Sequence, residues 1–323
     1  MKRILSLVVV VMLAVTVFLG YNEVEAKKAK QPTVIFVNVG SNIPYPAATQ
    51  NVFLELTKAR GWKGIVLDGQ LDATRNVRNL EQAAAMKPDA VICMLMDATV
   101  QSNAIRKVYR AGIPLVLDTG RPNPEDRKFA NCYTGVDDIT AGRRAAELIH
   151  EGLNGKGNIV IIQGIAGQQT VIDRNIGFNE RLKELNSEVN ILAENFGDWS
   201  KVTATKIMED FLTRYGEKID GVFAICDETA AGAALAISEA GIPKGKIKIV
   251  GVGGSKTGLA GVASGDVYGT TYQSPRATMI KSIEAVQYII DNNIKAGQSL
   301  DPYFRYIDLP KVTAENIDEF LPG

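Results

Sequence analysis

The polar residues best placed to act on a small molecule sit just after apolar, β-branched runs. One run, Asn158-Ile-Val-Ile-Ile-Gln163, leads through Gly164 and Gly167 to Arg174 at the opening of a helical pattern. The glycines permit a tight turn, and the guanidinium offers a fork of donors suited to vicinal hydroxyls or a carboxylate. The competing reading of Arg174 is a solvated helix residue. A second run, Phe223-Ala-Ile-Cys226, ends on Asp227 and Glu228. A carboxylate there either meets a ligand or caps the following helix and complements its dipole. Being adjacent, the two acids do not flank a scissile bond as a glycosidase pair must. Gly251-Val-Gly-Gly-Ser-Lys-Thr257 has the look of a phosphate loop, but Ser255 stands where the Walker pattern needs glycine before the lysine. No complete dinucleotide fingerprint is present. Tyr45 and Trp199 add one aromatic to each half of the chain. Flat faces on opposite walls of a cleft suit a sugar ring, although each residue equally suits loop packing. The one histidine, His150, falls in the helical pattern Ala141–Leu153, so histidine catalysis and the commoner zinc sites are not expected. The chemistry is therefore binding rather than catalysis, with no cofactor and no metal.

These residues are carried by an alternation of apolar runs and helical periodicity, the pattern of a parallel sheet covered on both faces. Strands are predicted at Thr33–Val39, Gly64–Asp68, Ala90–Met94, Leu115–Asp118, Asn158–Gln163, Val189–Ala193, Gly221–Ile225 and Lys248–Val252. Helices are predicted at Tyr45–Arg60, Thr74–Met86, Val100–Ala111, Ala141–Leu153, Asn175–Asn186, Val202–Tyr215, Glu228–Ala240 and Thr257–Ser264. Glycine and proline breakers at Gly61, Gly112-Ile-Pro114 and Gly241-Ile-Pro243 end helices where the pattern requires. Four strand–helix units precede about Val136 and four follow, so the fold class is α/β with two doubly wound parallel-sheet lobes. The alternation then breaks into a strand at Tyr268–Gln273, a helix at Arg276–Asn292 and a strand at Tyr303–Leu309. A chain that returns after two complete lobes can cross between them again, making a hinge. The expected division is 33–137 plus 275–300 for the N-terminal lobe and 138–272 plus 303–323 for the C-terminal lobe. Ligands in such sheets bind at the carboxyl ends of the strands.

Lys and Arg total 36 against 36 Asp and Glu, so charge makes no case for nucleic acid or an anionic membrane surface. Three cysteines, Cys93, Cys132 and Cys226, make no disulfide framework, although one pair could bridge in an oxidising compartment. Lys2 and Arg3 precede an apolar run from Ile4 to Leu19, and Val24-Glu-Ala26 supplies small residues at a cleavage site. Residues 1–26 are thus expected to be a cleavable export signal, the run being short of the ~20 residues of a spanning helix. The alternative is an uncleaved anchor. The mature chain is expected to start near Lys27 and to work in the periplasm.

Five landmarks together are similar to the ribose-type periplasmic binding proteins, whose fold is shared by the effector domains of lactose-repressor-like regulators. They are Ala111-Gly-Ile-Pro-Leu-Val-Leu-Asp118, Gln163-Gly-Ile-Ala-Gly167 with Arg174-Asn-Ile-Gly-Phe178, Phe223-Ala-Ile-Cys-Asp-Glu228, Ile249-Val-Gly-Val-Gly253 and Tyr272-Gln273. The resemblance spans Thr33 to about Leu309. It implies a three-strand hinge, closure over one small sugar-like ligand, a monomer, and delivery to an ABC permease of the inner membrane. A sensor subunit of the same fold, signalling to a membrane receptor or kinase, is the alternative. Carried over by position, Tyr45 and Trp199 stack on the ligand, Asp118 accepts from hydroxyls, Arg174 donates, and Gln273 contacts ligand near the hinge. Arg121 and Asp227 complete the expected ligand set, with Cys226 and Gly253 as departures. Cys226 stands where the family has Asn before Asp-Glu, and Gly253 or Gly254 where it has a sugar-binding Asp. Thr119 replaces an Arg, with Arg121 two places on. Losing the Asn and the Asp would cost ribose about 2–4.5 kcal/mol, roughly 30- to 2,000-fold in affinity. A larger or less hydroxylated ligand is expected instead.

Overall fold

The computed structural model describes residues 31–321, so the expected export signal lies outside the described residues. In chain order the elements are β1 (Thr33–Asn38), α1 (Pro44–Ala59), β2 (Lys63–Asp68), α2 (Ala73–Met86), β3 (Ala90–Met94), α3 (Ala98–Arg110), β4 (Leu115–Asp118), β5 (Cys132–Gly135), α4 (Asp138–Gly152) and β6 (Lys156–Gln163). There follow α5 (Gln169–Glu184), β7 (Glu188–Phe196), α6 (Lys201–Tyr215), β8 (Gly221–Ala224), α7 (Asp227–Glu239), β9 (Lys248–Val250), α8 (Lys256–Ser264), β10 (Gly269–Thr271), α9 (Pro275–Asp291), β11 (Phe304–Tyr306) and β12 (Lys311–Thr313). Two six-stranded sheets result, in the orders β2-β1-β3-β4-β5-β11 and β7-β6-β8-β9-β10-β12. Every pairing is parallel except that of β10 with β12.

Helices on both faces explain why the strands read as unbroken apolar runs: Val34, Ile35, Phe36 and Val37 of β1 are all fully buried. Local signals set the helix starts. Asp72, Asp97, Ser200, Ser255 and Ser274 each accept a backbone N–H of the first turn, which satisfies donors that have no intrahelical partner. Pro44 and Pro275 open α1 and α9, where a missing N–H does no harm.

Three departures from the sequence reading bear on the site. Helix α5 begins at Gln169 rather than Asn175, because burial of Val171 outweighs the weak helix propensity of Thr170-Val171-Ile172. Asp173 and Arg174 therefore lie inside the helix. Two short strands, β5 and β12, escaped the pattern, one of them carrying a buried Thr134. The third departure corrects the lobe division, since residues 304–306 join the first sheet by pairing with β5. Phe304 and Tyr306 pack on Tyr133 there, so the chain crosses at 307–310 and only from β12 does it belong to the second sheet. With the β5–α4 and β10–α9 junctions this makes three crossings between the lobes.

Helices α4 and α5 touch at backbone distance, where a methyl on Gly177 would collide with the Ile139 carbonyl. Gly177→Ala is expected to destabilise the fold by about 1–3 kcal/mol through overpacking. A denaturant midpoint equal to wild type would show that the two helices can separate freely.

Candidate functional site

A cavity of about 530 Å³ opens between the strand ends of the two sheets. Tyr45, Arg174, Trp199, Cys226, Gly253 and Gln273 all line it. Asp118, Arg121 and Asp227 do not, and each has a structural partner instead.

Arg174 is held by three elements. Its Nε donates to Asp138 Oδ1 at 2.9 Å and its Nη1 to the Ile225 carbonyl at 2.6 Å, while its guanidinium carbon lies 5.8 Å from the Trp199 ring centre. Nη2 is left for the cavity. Trp199 is fixed in turn by donating Nε1 to Gln168 Oε1 at 2.6 Å. Its backbone is left-handed, as is that of Asp198, and its ring presses on Gly164, where any side chain would collide. On the opposite wall Tyr45 packs against apolar residues of both lobes and exchanges a 3.0 Å hydrogen bond with Thr278 Oγ1. Burial, reinforced by Asp118, pushes its phenol above the ordinary range.

Gln273 is placed by a single parallel bridge at the hinge. Gly253 N–H donates to the Thr271 carbonyl and Gln273 N–H to the Gly253 carbonyl, at 2.8 and 2.9 Å. The side chain is 4% exposed, and its Nε2 has no hydrogen-bond partner. A buried donor left unmade costs about 1–3 kcal/mol. Gly253 has φ +144°, and a side chain there would press on the Asp227 carboxylate; an acid at this position is excluded by local geometry. Cys226 is 9% exposed, and burial pushes its thiol up to about 12. It stays protonated and is no nucleophile. All three cysteines are free.

Two of the corrections share one cause, that an acid at a strand end turns towards a partner its own lobe provides, whereas Arg121 finds its partner in the other lobe. Asp118 is fully buried and accepts from Thr119 Oγ1 at 2.9 Å and Ser282 Oγ at 3.1 Å. Asp227 accepts from Ser255 N–H and Thr270 Oγ1, both at 2.6 Å, a structural role other than capping its own helix, whose N-cap is Cys226. Arg121 grips Asp173 across the lobes, Nε to Oδ2 at 3.0 Å and Nη2 to Oδ1 at 2.6 Å. In their places Thr119, Glu228 and Ser255 reach the cavity, together with Leu71, Met94 and Met96. The strand-end rule pointed at these loops, but a methionine in a loop carries no chemical signature.

Burial raises Asp118 to about 7 and Asp227 to about 6. Their folded values exceed the unfolded one, so their contribution to stability is complete below about pH 4 and is lost as pH rises through 6 and 7. Melting is therefore expected at a higher temperature at pH 5 than at pH 8, with a smaller difference in Asp118→Asn. An identical pH slope in that variant would remove Asp118 as its source.

Residues 34–294 match the family model described as the periplasmic binding protein domain. The xylitol-binding protein of Mycolicibacterium smegmatis is 29% identical over 71% of this chain and 62% of its own length, just under two thirds. The ribose import binding protein of Escherichia coli is 24% identical over 90% of this chain and 93% of that one. Among solved structures, an ABC transporter periplasmic solute-binding protein from Actinobacillus succinogenes with bound D-allose superimposes with TM-score 0.80. It is 25% identical and covers 90% of this chain and 100% of its own. The arabinose ABC transporter component of Shewanella sp. ANA-3, bound to L-arabinofuranose, gives TM-score 0.82 at 25% identity over 89% and 94% of the two chains.

Proposed function

Because this chain belongs to the periplasmic binding protein family, of the ribose type and without enzymatic activity, we propose that it is the solute-binding subunit of an ABC importer. On this reading it is exported by residues 1–26, works in the periplasm as a monomer, and carries a sugar-like molecule to a membrane permease. The observation that carries the reading is the interlobe cavity itself, on which Gln273 from the hinge converges with Arg174, Trp199 and Tyr45. Gln273 comes from one lobe crossing, Arg174 and Trp199 from the second lobe and Tyr45 from the first. Only with the lobes together do all four surround one ligand, so ligand shifts the open–closed equilibrium towards closed. The ligand is not ordinary ribose, because the Asn expected at position 226 and the Asp expected at 253 or 254 are replaced by a buried thiol and by glycines that tolerate no side chain.

A thermal-shift screen of pentoses, hexoses, polyols, amino sugars and nucleosides identifies the ligand, and X-ray scattering then reads closure. A smaller radius of gyration at saturation is expected; an unchanged radius would refute closure as the mechanism. Gln273→Ala is expected to weaken the best compound about 3- to 10-fold, the loss of one neutral hydrogen bond of about 0.5–1.5 kcal/mol. Calorimetry showing equal affinity would remove Gln273 from the ligand set.

A further inference from the structure

The two walls of the cavity differ in kind. On the first-lobe side stand Leu71, Met94 and Met96, without a charged group among them. The polar groups of that lobe are already engaged: Asp118 accepts from Thr119 and Ser282, the Thr119 hydroxyl at the cavity edge donates to Asp118, and the Tyr45 hydroxyl bonds Thr278. The other side is polar: Arg174, whose Nε and Nη1 are spent on Asp138 and Ile225, stands there with Gln273, Lys256 and Glu228, whose Oε1 accepts from Ser255 Oγ at 3.0 Å. A molecule hydroxylated on every face would press hydroxyls against thioethers and leave their hydrogen bonds unmade, which is unfavourable.

Resting on the solute-binding reading above, we propose that the ligand is a glycoside. Its sugar ring meets Arg174, Trp199 and Gln273, and its apolar aglycone lies on the Leu71–Met94–Met96 wall. Methionine suits an aromatic group there, since its flexible, polarisable thioether adapts to a ring edge. Each carbon of the aglycone withdrawn from water adds to affinity, while the sugar supplies orientation.

The test uses free glucose, galactose, mannose and xylose beside the methyl and phenyl glycosides of each, titrated into the full mature chain by calorimetry. At least one phenyl glycoside is expected to bind tenfold or more tightly than its methyl counterpart, a difference of about 1.4 kcal/mol. Leu71→Asn and Met96→Gln are expected to bring that ratio towards one. Leu71 has φ +59°, a conformation asparagine adopts readily, so the first variant keeps its backbone. Circular dichroism verifies the fold of both. Silence from every phenyl glycoside overturns the proposal, as does a ratio near one in the wild type or a ratio unchanged in both folded variants. A free sugar that saturates the protein and compacts it, with phenyl glycosides weaker, overturns the glycoside alone and leaves the solute-binding reading standing.

Discussion

Arg174→Ala is expected to abolish the ligand response and to lower stability by about 3–5 kcal/mol, the usual result of breaking a buried ion pair from one side. The Arg174 and Asp138 side chains are only 6% and 2% exposed, so Asp138 would be left charged and buried, and the Ile225 carbonyl would lose its donor. Burial already holds the Asp138 carboxyl up at about 6 against the pull of Arg174. Without the arginine it rises further, which makes the variant least impaired at acid pH. Binding and stability separate in the double variant Arg174→Ala, Asp138→Asn, which removes the stranded charge. That protein is expected to regain most of its melting temperature and none of its ligand affinity. Full affinity in the double variant would show that Arg174 holds α5 and nothing else.

Arg121→Met is expected to open the lobes without touching the cavity. The Arg121–Asp173 pair is bidentate and joins the loop after β4 to α5 in the other lobe, with Asp173 only 2% exposed and Arg121 32% exposed. Hydrogen bonds to charged groups contribute about 1.5–3 kcal/mol, so the closed form would lose roughly 10- to 150-fold in population, and the partial exposure of Arg121 favours the lower figure. Scattering from the ligand-free variant is expected to give a larger radius than wild type, and ligand affinity to fall through faster dissociation. The exchanged pair Arg121→Asp, Asp173→Arg is expected to restore part of both. An equal radius in the variant and the wild type would mean that the pair persists through hinge motion and does not bias it. Arg174 is the next residue of the same helix, so a cavity-lining side chain and the contact with the other lobe are adjacent in α5.

The sequence was most legible where one element answers to one local signal. Strand after strand was marked by an apolar run, because both faces of these sheets are covered, and helix starts by Asp, Ser or Pro. Short segments were less legible: β5 and β12 have four and three residues, too few for a period to show. The place of 303–306 was misread for a related reason, since β11 is recruited to the first sheet by aromatic contacts with Tyr133 that no local pattern encodes.

For the site, residue type and position at a strand end pointed to Tyr45, Arg174 and Trp199, and the family resemblance added Cys226, Gly253 and Gln273; all six line one cavity. Direction was another matter. Asp118, Arg121 and Asp227 stand at equally plausible positions, yet Ser282, Asp173 and Thr270 claim them. Those partners are 164, 52 and 43 residues away in the chain. The chain's own order determined the two sheets and the loops at their strand ends that line the cavity, because periodicity and turn residues act over a few positions. Which side chains face the cavity, and that one of its walls is hydrocarbon, were decided by packing between distant segments, because a buried charge turns to whatever partner the assembled fold provides.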